Sequence, residues 1–225
     1  MVLYRRNKMS KKIIVLTVLV SFVSVGVALT LKAGIGVGAW DALIASISGI
    51  SDIPIGTVGI VLNFICIFAQ IIILRSNFRK IQLLQFPISV LFGVVINFML
   101  YEVFSMLTLD SYAIQLGTLL LGYGIIAFSI AGIMVMDLIS FPVEGFSMVI
   151  SDLIHKKFHV IRQLVDVFSV ITALLLIFIF HKPLVVREGT IIGVIIFGPL
   201  LGVFMKVLKP IFLKYDLIYA PQQES

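Results

Sequence analysis

Apolar residues run along this chain in long blocks, separated by short clusters of charge. Six blocks stand out, at 13–31, 53–74, 81–101, 111–136, 163–180 and 189–205. Five carry no charge in their interior, and the fifth is broken only by Asp166. A helix needs about 20 apolar residues to cross roughly 30 Å of hydrocarbon. Lipid offers the backbone no hydrogen-bond partner, so such blocks predict spanning helices.

Two stretches depart from this pattern. Residues 33–52 and 138–157 each open on helix breakers: Gly34, Gly36 and Gly38 in the first, Pro142 and Gly145 in the second. Each then continues for about a dozen mostly apolar residues, enough for a helix of about 18 Å and too short to cross. They predict half-helices that re-enter the membrane or lie at its interface. Irregular backbone at that depth is tolerated only where it is buried in protein or lines a wet cavity.

Composition agrees: 60% of the 225 residues are hydrophobic and 12% charged, with a mean hydropathy of +1.19. Soluble domains carry about a quarter charged residues. Water would meet a nearly continuous apolar surface, so the bilayer is the solvent that fits. The fold class expected is all-α and polytopic, with about six transmembrane helices and no soluble domain.

The placement of charge sets the orientation. Arg5, Arg6, Lys8, Lys11 and Lys12 precede the first block. Arg75, Arg79 and Lys80 follow the second, Lys156, Lys157 and Arg162 precede the fifth, and Lys206, Lys209 and Lys214 end the sixth. Six crossings put all of these on one side and leave only Lys32, Lys182 and Arg187 on the other. The acidic loop with Glu102 and Asp110 joins the latter side. This predicts a bacterial plasma-membrane protein with both termini cytoplasmic. The basic rim then meets anionic lipid headgroups. No basic patch lies on a foldable soluble element, so the net charge of +6 does not indicate nucleic-acid binding. The first block also fits a signal peptide, but its correspondence to the fourth favours a retained span.

That correspondence is an internal repeat. Displaced by 106 residues, Gly26 falls on Gly132, Val37 on Val143 and Ile44 on Ile150, while Trp40 meets Phe146 and Gly36 meets Pro142. Each half orders a long span, a Gly/Pro break, a half-helix and two more spans. Three crossings per half is odd, so the halves run in opposite senses, a feature of many secondary transporters. The organisation expected is a basic tail 1–12, a first repeat 13–110, a second repeat 111–213 and a tail 214–225.

The candidate chemistry follows from the breaks. Asp41 and Glu144 lie near the half-helix starts, where a carboxylate either caps free N–H groups or binds a cation or proton. Trp40 can wall such a site or belong to the interfacial aromatic belt. Lys32 and Asp137 end the first and fourth spans in near-equivalent positions. Lys32 can snorkel to the interface, whereas Asp137 has less reach. Asn63 and Asn97, inside spans, can link helices by hydrogen bonds or contact a solute. Arg162 and Asp166, four apart, predict a structural ion pair. Cys66, the single cysteine, reads as a small core residue. His155 and His159 are four apart, but Lys156 and Lys157 between them repel a metal ion, so no metal or cofactor site is expected. The phosphate-loop, zinc-protease and nucleophile-elbow motifs are absent from the sequence, so an energised pump or motif-bearing hydrolase is not indicated and no enzymatic activity is expected.

The segments GVALTLKAGIGVGAWDAL and PIGTVGIVLNF between Gly26 and Arg75, with GTIIGVIIFGPLLG at Gly189–Gly202, resemble the YczE/YitT-type bacterial membrane proteins. The resemblance implies a small polytopic plasma-membrane protein and assigns no substrate or catalytic residue. The expectation is secondary transport or export of a small solute or ion, with the half-helices forming the site. Two alternatives stay open. One is a non-transporting accessory or regulatory protein acting through a homo-oligomer or a membrane partner. The other is a substrate-binding subunit of a larger transporter.

Overall fold

The computed structural model describes residues 2–215 together with Leu217, and side chains from Met9 onward. Most of the 214–225 tail therefore lies outside the described residues. The described residues form eight α-helices and no strand. They are α1 (Val2–Ala33), α2 (Ala39–Ser51), α3 (Ile55–Leu74), α4 (Gln85–Phe98), α5 (Tyr112–Met136), α6 (Pro142–Leu153), α7 (Phe158–Phe180) and α8 (Glu188–Lys214). Six are long and apolar enough to cross a membrane, α4 with its flanking turns at 80–84 and 99–103. The two short ones, α2 and α6, stand where the breaks placed half-helices.

The boundaries differ from the apolar blocks for physical reasons. Helix α1 runs through the basic segment 1–12 from Val2. Helix α7 begins at Phe158, five residues before its apolar block, because Arg162 has carboxylate partners inside the bundle. Helix α8 continues past 205 to Lys214, through Pro199 and Pro210. Proline removes a backbone hydrogen bond, but helices within a bilayer tolerate it where the freed groups are satisfied again. Gly145 is not a breaker: it lies inside α6, and Pro142 forms the first turn, where its missing N–H costs nothing.

Packing is centred on α1 and α5, which cross at Gly26 and Gly122. A Cβ on Gly26 would lie 2.9 Å from the Gly122 carbonyl oxygen. Small residues let helices approach closely where lipid supplies no hydrophobic drive between them. α4 lies on α1, and α8 on α5. The α3–α4 pair closes through facing Gly56 and Gly93, each without room for a side chain. α2 packs on α7 and α3, and α6 packs on the same two helices. Both half-helices thus sit between α3 and α7, beside the central crossing. Leu16, Val20, Leu119 and Met136 anchor the core.

Each break is held by groups from the other half of the chain. The segment 34–38 is fastened to the start of α8. Gly189 N donates to Ile35 O at 2.7 Å, Val37 N to Thr190 Oγ1 at 3.2 Å, and Arg187 Nη1 to Gly34 O at 2.9 Å. Gly36 has φ +124°, and a Cβ there would lie 2.6 Å from Thr190 N, so glycine is required. The start of α6 is fastened to α3 and α4. Gln70 Nε2 donates to Pro142 O at 3.0 Å, and Gln70 and Gln85 exchange amide hydrogen bonds. A buried helix terminus needs such partners.

Candidate functional site

The half-helices place their carboxylates alike: Asp41 is the third residue of α2 and Glu144 the third of α6. Neither side chain serves as an N-cap. Their surroundings differ.

Glu144 belongs to a charged triad. Arg162, one turn into α7, reaches Glu144 at 3.4 Å and also pairs with Asp166 one turn further on. The i,i+4 pair expected within α7 is present, and Glu144 joins it from α6. Arg162 and Glu144 are about three-quarters buried, with side-chain exposures of 24% and 27%.

Asp41 has no such partner. Its carboxylate makes no hydrogen bond or ion pair among the described residues. It lines a small cavity of about 10 Å³ together with Val27 and Leu31 of α1, Ile44 of α2, Ile55 and Gly59 of α3, and Phe92 and Ile96 of α4. That is close to the space one water needs. The walls from α1, α3 and α4 all belong to candidate spans. The start of α2, partly buried at residues 38–41, therefore packs against α1, α3 and α4. Arg162, Glu144 and Asp166 are the charged groups close enough to act on Asp41, and Tyr123 of α5 lies within its field.

The face of α3 between the half-helices carries Asn63. Gly59, one turn earlier, faces Ile44 of α2. Gln70, two turns later, touches Gly145 of α6. Asn63 therefore stands in the interval between α2 and α6. It is 3% exposed, and its amide has no hydrogen-bond partner among the described residues. Ser169 and Ala173 continue the buried face of α7 beyond Asp166, and Ala173 meets Val37 and Ala42. Phe92, from the cavity wall, makes an edge contact with Phe141, the residue before α6, at 5.9 Å between centroids.

The remaining candidates have separate places. Trp40 precedes Asp41 and packs, partly buried, against the main core. Asn97 is engaged at the start of α3: its Oδ1 accepts from Gly56 N at 2.7 Å and its Nδ2 donates to Thr57 Oγ1 at 3.1 Å. Asp137 ends α5 in a left-handed conformation and is exposed. Lys32 donates to Ser105 O at 3.4 Å, at the bundle end carrying the acidic loop. Asp41, Glu144, Arg162 and Asp166 come together with Trp40 beside them; Lys32, Asn97 and Asp137 do not join them. Sequence reasoning missed the Gln70–Gln85 pair and Thr190. Both glutamines are visible as polar residues within or beside apolar runs, but their partners are distant in the chain.

Six apolar spans around two inserted half-helices define a multi-pass α-helical membrane protein. The chain belongs to a family of unknown function, DUF6198, whose model matches residues 10–206. It is also similar to the uncharacterized protein YyaS of Bacillus subtilis (strain 168), with 26% identity over 190 residues covering 84% of this chain and 90% of that protein. Neither description carries the YczE/YitT name, so the placement shown is in an uncharacterised family. No solved structure matches.

Proposed function

We propose that this protein is a secondary transporter or exporter of a small solute, with its site between α2 and α6 where both pack on α3 and α7. The observation that carries this reading is Asp41: a carboxylate without a partner, lining a cavity walled by three spans. Charge inside a membrane protein is costly and marks a functional site by default. Three carboxylates face one guanidinium in this region, so the site favours a neutral or cationic solute over an anion.

Two features support the reading. The packing of the halves corresponds in part: α1 lies on α4 as α5 on α8, and α2 on α7 as α6 on α3, whereas the close α3–α4 pair has no equivalent between α7 and α8. In our reading these are inverted repeats with a site at their interface, the arrangement of many transporters. Each break is also fastened by the opposite half, so rocking one half against the other alters both fastenings. The basic clusters put both termini on the cytoplasmic side of the plasma membrane.

The single native cysteine makes a direct test practical. In a Cys66→Ala background, cysteines at 38–44 and 142–147 are labelled with a membrane-impermeant thiol reagent from either side of sealed vesicles. Water access at Trp40 and Asp41, changing side with an imposed gradient, supports transport. Protection from both sides under every gradient favours the non-transporting accessory protein.

A further inference from the structure

We propose that the ion carried at this site is a proton, held on Asp41, and that no metal cation occupies it; this deepens the transport reading and rests on it. Three observations on geometry lead there. The cavity beside Asp41 has room for about one water. Its other walls are Val27, Leu31, Ile44, Ile55, Gly59, Phe92 and Ile96, which offer no side-chain oxygen. Sodium or another hard cation needs several oxygen ligands or must keep its water. Among the described residues no group of three or more His, Cys, Asp or Glu side chains could hold a metal ion. A proton needs one oxygen and no coordination shell.

The charges on neighbouring helices favour the same ligand. From α7 come Arg162 and Asp166, from α6 Glu144, and from α5 the Tyr123 hydroxyl. Arg162 is taken by its two ion pairs, with Glu144 and Asp166. Asp41 is left without an ion-pair contact beside an apolar cavity wall, and adding a proton to Oδ1 or Oδ2 removes its charge. The Tyr123 hydroxyl is not available as a partner, since it donates to Gly189 O at 3.0 Å. Asn63 is an independent sign of a polar route. Its amide, 3% exposed and without a hydrogen-bond partner, stands on the α3 face between Asp41 and the triad. Its amide atoms are not fully enclosed, since among the described residues the fully buried side-chain polar atom without a partner is Ser129 Oγ, so water or a passing ligand can reach the Asn63 amide. In the proposed cycle a proton enters from one aqueous side, adds to the Asp41 carboxylate, and leaves to the other side after the halves rock. The carboxylate is then regenerated and nothing else is consumed.

The test reads protonation directly and needs no solute. The full-length protein is reconstituted in liposomes with carbonyl-labelled aspartate, and the infrared C=O band of protonated carboxyl groups is followed against pH. The expected result is an isotope-shifted aspartic acid band persisting to near-neutral pH, unchanged when potassium is replaced by sodium. It disappears in Asp41→Asn and remains in Glu144→Gln. Absence of that band in the wild type overturns the proposal, as does its persistence in Asp41→Asn or its loss on adding sodium. If Asp41→Asn does not fold, the isotope shift in the wild type still separates aspartate from glutamate. Asp41→Glu must then replace the shifted band by an unshifted one. The outcomes also separate this proposal from the transport reading. A sodium-sensitive band with water access at α2 keeps transport and removes the proton. A proton band with no water access at α2 defeats both, because a carried proton needs a path.

Discussion

Helices α2 and α6 make the same local statement with opposite results. Each follows a break, has a carboxylate at its third residue, and lies between α3 and α7. Glu144 meets Arg162; Asp41 meets an apolar cavity. The difference comes from α7, whose Arg162 reaches Glu144 of α6 and pairs with Asp166, while Ala173 is the α7 residue packed against Ala42 of α2. A carboxylate near a helix start is stabilised by the dipole in both places. Only the partner on a distant segment turns one into a structural ion pair and leaves the other without a counter-ion in contact.

The most disruptive way to break this comparison is to remove the cation. Arg162→Leu leaves Glu144 and Asp166 as neighbouring carboxylates without compensation. Removing one partner of a buried ion pair costs about 3–5 kcal/mol, and partial exposure brings the expected loss here to about 3 kcal/mol. Thermal melting in detergent, followed by the fluorescence of Trp40, measures it. Neutralising both acids in the same protein, as Arg162→Leu with Glu144→Gln and Asp166→Asn, is expected to recover most of the loss.

The two fastenings offer a second contrast. Gly36→Ala demands a left-handed φ of +124° and drives Cβ to 2.6 Å from Thr190 N, a backbone atom that cannot step aside. The expected cost is about 2 kcal/mol. Gly145→Ala places Cβ 2.7 Å from Gln70 Oε1, the end of a flexible side chain. That amide can move at the expense of its hydrogen bonds, for about 1 kcal/mol. Parallel melts of the two variants test the ranking. Equal losses would mean that the first break also relaxes by side-chain movement.

How much of this could be read in the sequence depends on the range of the interaction. The spans were legible because bilayer crossing imposes a length and a composition that leave a local signature. The half-helices were legible because Gly34, Gly36, Gly38 and Pro142 interrupt that signature. Asp41, Glu144, Trp40 and the Arg162–Asp166 pair were legible as candidates, since rare charges within apolar sequence stand out. The grouping was not. Glu144 and Arg162 are eighteen residues apart on different helices, and no periodicity links them. Gln70 with Pro142, and Thr190 with Val37, are farther apart still. Asn97 shows the reverse case: a polar residue that looked available is occupied at the start of α3. The start of α7 was misplaced because charge was read as the end of a span, whereas Arg162 enters the bundle with its counter-ions.

The finest test of the comparison removes each carboxylate's charge without changing its shape. Glu144→Gln breaks the 3.4 Å pair with Arg162. Because Asp166 still holds the guanidinium, the loss stays near 1 kcal/mol, within the range for a charge-assisted contact at an incompletely buried site. Asp41→Asn replaces a carboxyl group that has no ion-pair or hydrogen-bond partner, so stability is expected to change by less than about 0.5 kcal/mol or to rise slightly. Each variant exchanges one carboxylate oxygen for an amide nitrogen at an equivalent helix position, which removes propensity and volume as explanations. A melt in which Asp41→Asn loses as much as Glu144→Gln would mean that Asp41 is held by a partner. Its place as the free carboxylate of the pair, and the ligand site built on it, would then fall together.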